Sequence, residues 1–127
     1  MGLSVSRAMP VPAASAWHVL THVEAWPAWG PTVAGASVPG GVIGPGAKGT
    51  VRTAVGLSLP FEITEFDEGR AWSWTVAGVP ATEHRVRATD EGCVVTFGVP
   101  WWAPGYVAVC ALALPRVERV AAERDAS

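Results

Sequence analysis

Across residues 57–99 the chain alternates apolar and polar side chains through successive short segments, a period that suits pleated strands and not helices. Leu57, Leu59, Phe61 and Ile63 alternate with Ser58, Pro60, Glu62 and Thr64. Trp72, Trp74 and Val76 alternate with Ser73, Thr75 and Ala77. Thr82, His84, Val86 and Ala88 share one face, and Glu83, Arg85, Arg87 and Thr89 the other. Cys93, Val95, Phe97 and Val99 repeat the pattern. The turn signals DEGR (67–70) and TDEGC (89–93) separate these runs. The segment is an antiparallel meander with one apolar face, and that face needs a cover.

The flanking sequence supplies covers. Residues 2–9 fit a first strand, ended by Pro10 and Pro12. Pro12 suits the first position of a helix over 13–26, with Ala16, Trp17, Val19, Leu20 and Val23 on its apolar stripe and Ser15, His18 and His22 opposite. Pro27 stops it, and WPAWGP reads as a short second helical turn. Strands are expected near 33–38 and 48–55, with a turn-rich loop at 39–46 between them. After the meander, Val107, Cys110, Leu114, Val117 and Ala121 form one helical stripe, which predicts a long C-terminal helix kinked at Pro115. A strand over 106–114 followed by a short helix is the alternative. The long helix is preferred because the sheet needs a cover.

Composition excludes several classes of function. The 127 residues suit one domain spanning 1–127. Half the residues are hydrophobic and 16% are charged, so the chain is not a disordered tail. A net charge of -2 leaves no basic footprint for nucleic acid and no cationic arm for an anionic membrane. The two cysteines, Cys93 and Cys110, make neither a multi-bridge scaffold nor a four-thiolate zinc site. The start MGLSVSRAMP has no signal-peptide pattern, so a reduced, cytoplasmic, soluble protein is expected. Residues 92–115 carry no charge and are long enough to span a bilayer, but Pro100, Pro104 and Gly105 interrupt them, so no membrane insertion is expected. No G-x-S-x-G elbow or phosphate-binding loop is present, and no cofactor is expected.

The order of elements resembles the helix-grip fold of the SRPBCC superfamily, the START-type, Bet v 1-like and polyketide cyclase/dehydrase-like proteins. VPAASAWHVLTHVEAWPAWGPTV is similar to the family's opening, FEITEFDEGRAWSWTV to its central hairpin and EHRVRATDEGCVVTF to its last hairpin. The resemblance implies an α+β fold: a curved antiparallel sheet wrapped around a long C-terminal helix, with two short helices after the first strand. It also implies an apolar cavity between sheet and helix. Members bind lipids, sterols, polyketides or other hydrophobic small molecules, and a minority act there as aromatase/cyclases.

Charged residues take the solvent side of each strand, which sends Leu59, Phe61, Ile63, Trp72, Trp74, Val76, Val86, Val95 and Phe97 inward together with His84; all of these but Val76 are taken as candidate ligand contacts. His84 is the ionisable side chain among them, beside the Cys93 thiol. Three roles are open to it: a neutral histidine bonded to a backbone carbonyl or to Thr82, a group that orients a ligand, or a catalytic acid–base. The seven tryptophans are the most unusual feature of composition. Trp26 and Trp29 are expected near the cavity entrance. Of the adjacent Trp101 and Trp102, both cannot point inward, and Trp101 is taken as the ligand contact. The other would be exposed or half-covered, as at a cavity mouth or a homodimer contact. His18 and His22 have the i, i+4 spacing of helical metal ligands, but no further ligands complete a set, so no metal is expected. Arg52 alternates with Val51 and Thr53 and is expected at the surface.

The leading function is therefore binding of a small hydrophobic, lipid- or polyketide-like molecule, with residues 39–46 and Trp101–Trp102 gating access. One alternative is a polyketide cyclase/aromatase/dehydrase-type enzyme using His84. Another is an interaction protein whose cavity is filled.

Overall fold

The computed structural model describes residues 3–126; Gly2, expected in the first strand, lies outside them. Strand β1 (Leu3–Met9) leads into helix α1 (Ala13–Thr21), a 3-10 turn (Val23–Ala25) and helix α2 (Trp26–Trp29). Strands β2 (Val33–Ser37), β3 (Lys48–Thr53), β4 (Ser58–Asp67), β5 (Ala71–Val76), β6 (Val79–Thr89) and β7 (Gly92–Val99) follow, and helix α3 (Tyr106–Ala126) ends the chain. The strands form one seven-stranded antiparallel sheet in the order β1-β7-β6-β5-β4-β3-β2. Helix α3 packs against α1, α2, β1 and β7. This is the helix-grip fold.

Alternation sets the faces. In β7, Cys93, Val95, Phe97 and Val99 are all buried. In β6, Thr82, His84 and Val86 are buried while Glu83, Arg85 and Arg87 are exposed. Register shifts fall between Ile63 and Glu65 on β4 and between Ser73 and Thr75 on β5, on both sides of Trp74. Such bulges bend a strand and increase its twist, which curves the sheet around α3. Gly49 on β3 lies under the ring of its partner Phe61; a Cβ there would come within 2.9 Å of two ring carbons.

The helix expected over 13–26 is broken. It ends at Thr21, because His22 is extended (φ -93°, ψ 111°) and forms a β-bridge with Val42. The last carbonyls of a helix need outside donors. Here Trp26 Nε1 donates to Leu20 O and Trp29 Nε1 to Val19 O, each at 3.0 Å, and Ile43 N donates to Thr21 O. The break thus turns two indoles inward against α1. Ser15, expected on the solvent face, is buried, with Oγ 3.4 Å from Asp125 Oδ1 on α3. Trp17, expected in the buried stripe, is half-buried at its edge and donates from Nε1 to Glu68 at 2.6 Å.

Leu57, expected to face inward on β4, belongs to the preceding turn and is exposed. That turn is closed by Thr53 N to Leu57 O and Gly56 N to Thr53 O. Pro115 does not divide α3. It sits on the exposed face together with Ala111, the residue whose carbonyl loses its donor. Cys110, Ala113, Leu114, Val117 and Ala121 form the buried stripe.

Candidate functional site

A cleft opens at the end of the sheet where the β3–β4 and β5–β6 turns meet the β7–α3 segment. Its volume is about 290 Å3. The walls are Thr32 and Val33, Val51 and Thr53 of β3, Trp74 and Val76 of β5, Ala81 and Thr82 of β6, Pro100, Trp102 and Ala103, and Tyr106 of α3. Beneath it lies an inner chamber of about 40 Å3, walled by Trp26, Trp29, Trp72, His84, Phe97, Cys110 and their neighbours. Thr32, Val33, Trp74, Thr82 and Tyr106 line both spaces and form the neck. No Asp, Glu, Lys or Arg lines either space. The polar groups at the neck are hydroxyls and ring nitrogens that are already bonded.

Those bonds form two sets. Tyr106 Oη lies 2.7 Å from Thr32 Oγ1. Across the neck, Trp74 Nε1 donates to Thr82 Oγ1 at 3.1 Å, Thr82 Oγ1 lies 3.1 Å from His84 Nε2, and His84 Nδ1 lies 3.4 Å from Trp72 O. A carbonyl only accepts, so Nδ1 carries the His84 proton and Nε2 receives the Thr82 hydroxyl hydrogen. His84 also stacks on Trp72, with ring centroids 3.8 Å apart and planes 16° apart, and Trp72 stacks in turn with Trp26 at 5.6 Å. Burial lowers the His84 pKa to about 3, against a small upward pull from the bond to Trp72 O. Burial therefore favours the neutral ring, and both of its nitrogens are engaged. Burial raises the Tyr106 hydroxyl, partly offset by the Thr32 bond, and pushes the Cys110 thiol up to about 11.

The structure sorts the residues singled out in the sequence. Trp26, Trp29, Trp72, Trp74, His84 and Phe97 wall the inner chamber, and Trp74 the cleft as well. Trp26 and Trp29 lie deep in the site and not at its entrance. Phe61, Ile63, Val86 and Val95 are buried in the core and border neither space. Leu59, the register partner of the cleft-wall residue Val51, is half-buried and borders neither space. Trp101 is 73% exposed and borders the outer face of the sheet beside Glu65 and Glu83; its neighbour Trp102 supplies the cleft wall. Strand alternation ends at Val99, so no sequence period indicated which of the two indoles turns in. Sequence reasoning also missed Thr32, Val51, Thr53, Ala81 and Tyr106 as cleft walls. For Val51 and Thr53, their alternation with the exposed Arg52 was the available signal. The loop at 39–46 borders neither space. The His18 and His22 rings stack face to face at 3.4 Å, so they do not converge on a common point.

A curved sheet gripping a long helix, with an apolar cleft between them, defines the class of hydrophobic-cavity helix-grip proteins. The chain belongs to the family described as polyketide cyclase/dehydrase and lipid transport, which it matches over residues 2–123. Solved structures share the fold. A protein of Nitrosomonas europaea superposes with a TM-score of 0.74 at 18% identity, covering 100% of this chain and 97% of that one. The AHSA1-like protein of Aeromonas hydrophila gives 0.76 at 12%, covering 100% and 96%. A protein of Thermobifida fusca gives 0.71 at 21%, covering 94% and 92%. No curated protein matches the chain. No helix among the described residues is long and apolar enough to cross a membrane.

Proposed function

We propose that the chain binds a small hydrophobic molecule in the cleft between sheet and C-terminal helix. The observation that carries this reading is the lining: a cleft of about 290 Å3 without a charged side chain, leading to an aromatic chamber. Apolar burial supplies about 25 cal/mol per Å2 before ordering costs, and a few polar groups fix orientation. The mouth suits such a ligand, because Val55 and Leu57 on the β3–β4 turn, Val79 at the start of β6 and Trp102 before α3 are exposed at this end of the sheet.

The test is titration with the neutral fluorophore N-phenyl-1-naphthylamine. Saturable, stoichiometric uptake is expected, and Ala103→Trp, which fills the cleft at a half-buried wall position, is expected to abolish it. Absence of saturable uptake, or uptake untouched by the filled cleft, refutes the reading.

A further inference from the structure

Among the described residues, one buried side-chain polar atom has no hydrogen-bond partner: Nε1 of Trp72. The other buried or half-buried indoles near it are all satisfied. Trp26 donates to Leu20 O, Trp29 to Val19 O and Trp74 to Thr82 Oγ1. A buried N–H without an acceptor is costly, and folded proteins rarely tolerate one without a use for it. Trp72 is a wall of the inner chamber. The hydrogen bonds of the chamber wall pass it by: Trp72 O bonds His84, His84 Nε2 bonds Thr82, and Thr82 Oγ1 bonds Trp74.

We propose that the ligand is an uncharged, largely hydrocarbon molecule carrying a carbonyl oxygen, and that this oxygen enters the inner chamber to accept the hydrogen of Trp72 Nε1. The inference rests on the cleft being a binding site, and it specifies the ligand's chemistry. A chamber of about 40 Å3 has room for the polar end of a molecule and not for its body, which occupies the larger cleft above. The absence of Lys, Arg, Asp and Glu from both linings leaves a carboxylate or an ammonium unpaired in an apolar site, so charged ligands are disfavoured. An indole N–H donates only, and a carbonyl oxygen accepts it without bringing a hydrogen of its own that would need a second acceptor in the chamber.

The experiment compares 2-acetylnaphthalene, 2-ethylnaphthalene and 2-naphthoate, which share a body and differ in one group. Affinities are read by displacement of N-phenyl-1-naphthylamine, and the seven indole N–H signals by nitrogen–proton correlation spectra. The ketone is expected to bind about three- to tenfold more tightly than the hydrocarbon, the range one net hydrogen bond supplies, and the carboxylate more weakly than the ketone. The Trp72 indole signal, assigned by its loss in Trp72→Phe, is expected to move with the ketone and to stay with the hydrocarbon. In Trp72→Phe the ketone preference is expected to vanish while the hydrocarbon still binds. If ketone and hydrocarbon bind alike and the Trp72 signal stays, a buried water holds the N–H and the inference falls, while apolar binding stands. If no compound binds, both readings fall. Should Trp72→Phe not fold, the affinity comparison on the parent chain alone decides.

Discussion

The Tyr106 hydroxyl and Thr32 Oγ1 meet at 2.7 Å and tie the first turn of the C-terminal helix to the segment entering β2, across the neck of the cleft. Tyr106 is the only tyrosine in the chain, so its ionisation can be followed by ultraviolet absorbance alone. Burial, the larger influence, favours the neutral phenol, and the midpoint is expected above the ordinary value of 10. Because the folded-state pKa is raised, the associated stability is full below pH 10 and is lost as pH rises through the raised value. Tyr106→Phe is expected to cost about 1 kcal/mol, since the Thr32 hydroxyl loses its partner. An absorbance midpoint at or below 10 would contradict the placement of this side chain.

His84 predicts the opposite limb of the pH profile. Its pKa falls from 6.5 to about 3 on folding, so the unfolded chain takes up the proton first. The stability is full above pH 6.5 and is lost as pH falls toward 3, on the order of 5 kcal/mol in all. Urea midpoints measured from pH 7 to 4 are expected to drop steadily. His18, shifted down chiefly by burial, adds a slope of the same sign. In His84→Phe the chain is expected to be weaker at pH 7, because Thr82 and the Trp72 carbonyl lose a partner, but flatter toward acid. A wild-type slope that survives in the variant would mean that His84 is not held neutral.

Much of this was legible in the sequence. Period-two alternation placed β4 to β7 and sent His84, Trp72, Trp74 and Phe97 inward, because a charged residue on every second position of β6 leaves one arrangement. The apolar stripe of α3 survived Pro115 because the proline falls on the solvent face, a fact the same stripe contains. The break at His22 was hidden. It depends on Trp26, Trp29 and Ile43 reaching back to carbonyls of α1, which are contacts across turns and not periods. The division of inward residues into cleft wall and solid core was hidden too. Ile63 and Trp74 are register partners beside the β4 bulge and both face inward, yet only Trp74 lines the opening. The unpaired indole of Trp72 needed the finished packing to be seen at all.

The β5–β6 hairpin carries a local strain that can be relieved. Its two turn residues, Ala77 and Gly78, both have positive φ, 53° and 79°. That is the pattern of a type I′ turn, in which Asn or Gly is favoured at the first position and alanine is not. Ala77→Asn is expected to raise stability by about 0.5–1 kcal/mol without altering ligand uptake. Thermal denaturation decides: a lowered midpoint would mean that the turn is of another kind.

Trp101 and Trp102 separate what adjacent identical residues do. Trp101 lies against the outer face of the sheet, and Trp102, 51% exposed, covers one side of the cleft with its buried half. Trp102→Ala removes an apolar wall and opens the cleft to water. It is expected to weaken N-phenyl-1-naphthylamine binding about three- to tenfold, or 0.7–1.4 kcal/mol. Trp101→Ala is expected to leave that affinity within about twofold, since an exposed side chain off the binding surface contributes little. Equilibrium titration of the two variants gives the comparison directly. Equal losses would place both indoles at the mouth, and a loss confined to Trp101→Ala would reverse the assignment and put the ligand on the outer face.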